Sequence, residues 1–256
     1  MFSQSEYKAN ELYLKHSIAP RPDKVHIGLV QLSTDHSIET DLQMLVGSSA
    51  MIFSNRVYYS SSMTAEALAE ISRGITQSAS LIATGLPMDV MAFGCTSASI
   101  VIGNEKIREL LTDQHPGIPA TNPWMGALAA FSHLQAKRVS IFSPYPTEVN
   151  YPLYQQLVTQ GFDVPTIGAL RIEKDTDITK VSFDSMLKGA RHILAEAPTD
   201  ALFLSCTNLR ALEHIEEIEA EVGVPIVTST QAMFWHAMTL VGKQPKLEGF
   251  GQLLAG

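Results

Sequence analysis

The sequence predicts an α/β protein built as two pseudo-symmetric Rossmann-like lobes with parallel sheets. One observation is the alternation of short apolar runs with longer helical patterns, the grammar of βα units. A second is internal similarity at an offset of about 110 residues: Lys24-Val-His-Ile-Gly-Leu-Val-Gln31 resembles Arg138-Val-Ser-Ile-Phe-Ser-Pro144, and Gly117-Ile-Pro119 matches Gly223-Val-Pro225. The third is a pair of matching frames around the only two cysteines. They read Asp89-Val-Met-Ala-Phe-Gly-Cys-Thr-Ser-Ala-Ser99 and Asp200-Ala-Leu-Phe-Leu-Ser-Cys-Thr-Asn-Leu-Arg210.

Residues 1–24 read as an N-terminal extension, helical or loose, because Glu6, Lys8, Glu11 and Lys15 interrupt any apolar signal-peptide core. Buried strands are expected at 25–31, 89–94, 139–143, 201–205 and 225–228, where short apolar stretches rich in Val, Ile and Phe meet turn residues. Weaker strands are expected near 56–59 and 166–170. Helical periodicity places helices at 64–84, 100–112, 123–135, 149–160, 182–196, 208–221 and 230–241. The first lobe then comprises 25–120 completed by 231–256, and the second comprises 121–230. Open parallel sheets bind ligands at the carboxyl ends of their strands. Both cysteines fall there, each expected just before a helix, whose free N–H groups would bind a carboxylate and help a thiol ionise.

Composition narrows the function classes. The 256 residues carry a net charge of −8 with no basic run, unlike a nucleic-acid binder. No stretch nears the roughly 18 apolar residues that a membrane span needs. A cytoplasmic location with reduced cysteines is the expectation. There is no phosphate-binding glycine loop, no dinucleotide fingerprint, no C-x-x-C and no paired-histidine metal spacing. No cofactor and no metal are therefore expected.

Two thiols facing one carbon can remove a proton from one side and return it to the other. Cys95 and Cys206 are the candidate catalytic pair. Thr96 and Ser97 follow the first, and Thr207 and Asn208 the second; their hydroxyl, amide and backbone donors could hold a substrate carboxylate. The alternative for either cysteine alone is a small buried hydrophobe. Asp35, in the loop after the first strand, is either a substrate contact or a helix cap. Tyr145, in the equivalent loop of the second half, either donates to a substrate oxygen or packs. Thr121-Asn122-Pro123 and Thr228-Ser-Thr-Gln231 are polar strand-end segments that helix capping explains equally well.

Gly94-Cys-Thr-Ser97, Ser205-Cys-Thr-Asn208 and Ser143-Pro-Tyr-Pro-Thr-Glu-Val-Asn150 together resemble the motifs of the aspartate/glutamate racemase superfamily. They are most similar to the branch of maleate cis-trans isomerase and arylmalonate decarboxylase, and to racemase-like proteins of ectoine utilisation. The resemblance covers roughly residues 24–245. It implies an Asp/Glu racemase-like fold, no cofactor, a small carboxylate substrate, a homodimer or higher homo-oligomer, and an active-site tyrosine at Tyr145. Isomerases of this branch attack maleate with one thiolate, racemases use two cysteines as opposed acid and base, and decarboxylases keep one cysteine. The resemblance also implies asparagines where this chain has Asp35 and Asp175. Ionised Asp only accepts hydrogen bonds, so both would repel a dianion and suit an ammonium group. The expectation is a two-cysteine isomerase or racemase acting on an amino acid or derivative. The alternative is a maleate isomerase with Cys95 as nucleophile. An arylmalonate-type decarboxylase and a non-catalytic metabolite-binding protein carry less weight.

Overall fold

The structure is a computed structural model that describes residues 3–255. The chain opens with α1 (Gln4–Asn10), closed at its start by a capping box between Ser3 and Glu6 and exposed along its whole length. The first half then runs β1 (Val25–Leu32), α2 (Ile38–Val46), β2 (Ala50–Val57), α3 (Ala65–Glu70), α4 (Ser72–Ser80), β3 (Val90–Gly94), α5 (Thr96–Ile102), α6 (Asn104–Thr112) and β4 (Ala120–Thr121). The second half runs α7 (Pro123–His133), β5 (Val139–Ser143), α8 (Thr147–Thr159), β6 (Ile167–Ala169), α9 (Asp175–Ile178), α10 (Phe183–Glu196), β7 (Ala201–Leu204), α11 (Ile215–Val222), β8 (Ile226–Thr228), α12 (Ser229–Leu240) and α13 (Gln252–Ala255).

The strands form two four-stranded parallel sheets with the same order, β2-β1-β3-β4 and β6-β5-β7-β8. Every residue of β1 is buried, as expected for a strand covered on both faces. The duplicated motifs do the same work in each sheet. Asp89, at the start of β3, accepts a hydrogen bond from His26 N–H on β1 (2.7 Å) and pairs with Arg21. Asp200, at the start of β7, accepts from the backbone N–H of Lys137 (3.0 Å) and Arg138 (2.8 Å) and from the Arg138 side chain. Each aspartate thus fastens two adjacent strands at their amino ends. Gly117 and Gly223 both adopt positive φ (82° and 73°), turning the chain into β4 and β8.

Several elements differ from the sequence expectation. Helix α2 lies outside the helices that periodicity places, though the capping reading of Asp35 allowed one there, and β2 starts well before 56. Its mixed polar and apolar pattern reflects an edge strand with one face partly open. The 64–84 segment is α3 and α4, divided at Ile71. The 100–112 segment is α5 and α6, divided at Gly103, whose φ of 90° leaves the helical region. The largest departure follows Cys206. Residues 206–211 are not helical; a 3-10 turn spans Leu212–His214, and α11 begins only at Ile215.

The helix following the second sheet does not stay with that sheet. α12 packs along α7 and also reaches α2 and β3 of the first half. The α7–α12 contact is backbone on backbone: a Cβ at Gly126 would lie 2.5 Å from Ala232 O and 2.8 Å from Met233 N. Among the described residues, no helix is long and apolar enough to cross a membrane.

Candidate active site

The two cysteine loops meet between the sheets. Thr207 Oγ1 lies 3.4 Å from Gly94 O, so the residue after Cys206 touches the residue before Cys95. Both cysteines are free and buried, with 5% and 7% exposure. Cys95 is the N-cap of α5, and its Sγ accepts from Ala98 N–H at 3.5 Å with Ser97 Oγ 3.6 Å away. Burial pushes its thiol up to about 12; the Ala98 N–H pulls the other way, and the Asp175 charge adds to the rise.

Cys206 is held differently. Its φ of 140° lies in a region that side chains rarely adopt. Its N–H donates to Ser229 Oγ at 2.9 Å. The expected helix N-terminus is absent here, because the residues that would start it bridge to the first half instead. Burial pushes the Cys206 thiol well up, and Asp175 adds to this, whereas Tyr145 and the Asn208 N–H oppose it.

That bridge consumes several of the polar groups singled out in the sequence. Asp35 Oδ1 accepts from Ser37 N–H and Ile38 N–H, both at 2.9 Å, which caps the start of α2. Its Oδ2 accepts from Thr207 Oγ1 at 2.7 Å. Asn208 Oδ1 accepts from His36 N–H (2.9 Å), and its amide donates to Asp175 O (2.9 Å) and Thr34 O (3.3 Å). Thr96 Oγ1 donates to Ser229 Oγ (2.8 Å). Asp35, Thr96, Thr207 and Asn208 therefore lie at the meeting of the two cysteine loops, with these groups tied into the fold. Ser97 and Tyr145 lie beside the thiols.

The Tyr145 hydroxyl is buried beside Cys206 and Ser205, near enough to Cys206 to oppose the rise of its thiol, but outside hydrogen-bond geometry with any described residue, as is Ser205 Oγ. Burial, then the nearby thiols, holds its phenol well above its ordinary value. Asp175 accepts from Thr34 Oγ1 (2.6 Å) and from Asn208 Nδ2 (3.3 Å) through Oδ2. Burial pushes its carboxyl up to about 7, and Asp35 adds to the rise. Asp35 is itself held up by burial against its three hydrogen bonds.

Two segments pair next to this site to form a strap. Asp175 N–H donates to Ser61 O (3.2 Å) and Met63 N–H to Glu173 O (3.4 Å), with Ser62 and Lys174 as antiparallel bridge partners. One side of the strap follows β2 and the other follows β6, so it joins the two halves. A surface groove of about 780 Å³ lies instead at the amino ends of the first sheet, lined by Lys24, Ser49, Asp89 and Lys243, and holds neither thiol.

Sequence reasoning missed Tyr59, Thr34 and Ser229. Tyr59 donates to Ser62 O (2.6 Å), and its phenol is raised by burial and by the charges of both thiols and Asp175, so it borders the same site. Nothing in its sequence setting marks it. Ser229 sits in the polar segment already noticed, where Thr228 and Gln231 do form a capping box. Capping accounts for those two residues and leaves Ser229 unexplained.

The arylmalonate decarboxylase family profile matches residues 27–254. The chain belongs to this family. One family relative is the arylmalonate decarboxylase of Bordetella bronchiseptica, 30% identical over 142 residues, or 54% of this chain and 58% of that protein. The chain thus spans less than two thirds of that relative. A maleate isomerase from Nocardia farcinica is 25% identical over 241 residues, 89% of this chain and 94% of the relative. The fold is the Asp/Glu racemase-like one of the solved family structures. A Nocardia farcinica maleate cis-trans isomerase, a cysteine-to-serine mutant with a covalently bound succinylcysteine intermediate, superposes with a TM-score of 0.82 at 22% identity, covering 90% of this chain and 98% of that one. A double mutant of arylmalonate decarboxylase in the liganded form gives 0.81 at 23% identity, covering 91% and 99%.

Proposed function

We propose that this chain is a cofactor-independent cis-trans isomerase acting on a small unsaturated dicarboxylate of the maleate type. The observation that carries the reading is the meeting of two unlike cysteine loops: one thiol seated on a helix N-terminus, the other beside an unpartnered tyrosine hydroxyl. The N-terminus of α5 favours negative charge on sulfur, so Cys95 is assigned as nucleophile. Cys95 first loses its proton to solvent and, as thiolate, adds to one olefinic carbon. The displaced electron pair becomes an enediolate-like charge on the neighbouring carbon and carboxylate, where Tyr145 and Ser97 can donate. Cys206 protonates that carbon. The former double bond then rotates, Cys206 takes the proton back, the double bond re-forms and Cys95 leaves. The covalent succinylcysteine named for the Nocardia farcinica isomerase structure is the kind of adduct this sequence passes through.

The amino acid reading needed Asp35 and Asp175 as an anionic cradle for an ammonium group. Asp35 engages both its oxygens in the cap and the Thr207 bond, which leaves it poorly placed for that role. Asp175, its carboxyl pushed up to about 7, carries a proton in part near neutrality, and in that form can donate as an asparagine would. Both points favour the dicarboxylate isomerase.

The test is direct. Purified protein should convert maleate to fumarate, followed by loss of maleate absorbance and by NMR of the product. Cys95→Ala should abolish turnover and covalent adduct formation. Full turnover by Cys95→Ala or Cys206→Ala sinks the two-thiol scheme. Solvent deuterium exchange at the α-carbon of an amino acid, with no action on maleate, would return the weight to a racemase.

A further inference from the structure

We propose that Ser229 is a positioning residue that sets Cys206 against Cys95. The inference rests on the two-thiol reading above. Ser229 is fully buried at the first position of α12. Its single hydroxyl oxygen accepts from Thr96 Oγ1 at 2.8 Å and from Cys206 N–H at 2.9 Å. Thr96 directly follows Cys95 in the first half. One atom on a third element therefore ties together the backbone carrying one thiol and the residue adjoining the other.

The two halves need this tie unequally. Cys95 has ordinary extended geometry and is held by the N-cap bonds of α5. Cys206 has no helix after it and sits at φ 140°. A side-chain-bearing residue in so sparsely populated a region is strained and persists only where surrounding contacts over-determine it. The bond to Ser229 fixes the direction of the Cys206 N–H and hence the φ that aims its Sγ. Without that acceptor, both the Cys206 N–H and the Thr96 hydroxyl would be buried and unpaired. The Cys206 peptide would be free to relax toward a commoner conformation, swinging the sulfur away. Ser229 itself touches no reacting atom in this scheme.

The experiment compares Ser229→Ala with Ser229→Thr, which keeps the acceptor. In the full-length protein, iodoacetamide alkylation of each cysteine is timed by peptide mass spectrometry alongside maleate kinetics. In Ser229→Ala the Cys206 alkylation rate should change while the Cys95 rate stays near wild type. The kcat should fall about 100-fold, the size of effect expected from a small misplacement of a reacting group, with KM little changed. Ser229→Thr should restore both. Should Ser229→Ala not fold, Ser229→Cys fills the same volume with a poor acceptor and carries the same expectation, its own sulfur resolved by peptide. A Cys206 rate unchanged in Ser229→Ala overturns the proposal. So do equal changes at both cysteines that track a fall in Tm and are not rescued by threonine. The alkylation result stands even if maleate is not turned over, which separates this inference from the functional one.

Discussion

Asp175 shows how burial can rewrite a residue's chemistry. As an ionised carboxylate it would repel a dianionic substrate and hold both thiols protonated. With its carboxyl pushed up to about 7, the neutral form dominates below neutrality, and the group becomes a donor. The sign of the pH effect follows. Above about pH 7 the carboxylate forms; on the proposed function, dicarboxylate binding then weakens and KM rises, while over the same range kcat increases as more Cys95 becomes thiolate. In Asp175→Asn the donor is permanent and one anion is gone. Its KM should lose the rise above neutrality, and both cysteines should alkylate faster above about pH 7. Steady-state kinetics against pH and timed alkylation check this; slower alkylation in the variant would contradict the charge argument. The family resemblance flagged Asp175, as an aspartate where an asparagine stands, yet the burial that changes its meaning belongs to the strap and cannot be read from its neighbours.

At the scale of elements, β1, β3, β5 and β7 were legible because continuous apolar runs bounded by turns have few other fates. The matching aspartates were legible too, and their strand-fastening bonds explain why both halves carry them. Helix α2 was not, since its periodicity is short and its cap comes from Asp35, a residue equally readable as a ligand contact. The non-helical stretch after Cys206 was hidden for a related reason: Thr207 and Asn208 bond across to Asp35, His36 and Asp175, far away in sequence. The α7–α12 pair gives an element-scale prediction. A methyl at Gly126 would press on the backbone of Ala232 and Met233, which cannot swing aside as a side chain can. Gly126→Ala should lose about 1–3 kcal/mol by overpacking, read as a lower urea midpoint. Because α12 also carries Ser229, activity should fall in the folded fraction as well. A variant as stable and active as wild type would show that the helices can separate at no cost.

Across the whole molecule, burying acids fixes how stability depends on pH. Burial and the Asp35 and Glu213 charges push Asp41 up to about 8, burial pushes Asp175 to about 7, and Asp35 is raised as well. In the unfolded chain such groups ionise near pH 3.9. Between that value and the folded pKa the native state holds protons that the unfolded state has lost, so stability falls as pH rises and levels off above the folded pKa. Thermal melts should show Tm declining from about pH 5 to about pH 8 and flat beyond. Asp41→Asn should remove the upper part of the decline. A Tm that climbs over this range would mean these carboxyls ionise normally and are open to water.

The strap formed by Ser61–Met63 and Glu173–Thr176 has a consequence for how the protein ages. Peroxide attacks thiolates it can reach, and an irreversibly oxidised sulfur would end catalysis. With both sulfurs buried, the strap beside them joining the two halves, and both thiols held protonated by their surroundings, the resting molecule is insulated from such damage. Substrate can reach buried sulfurs only if the strap parts, so on the proposed function oxidative wear should accumulate with the number of turnovers more than with elapsed time.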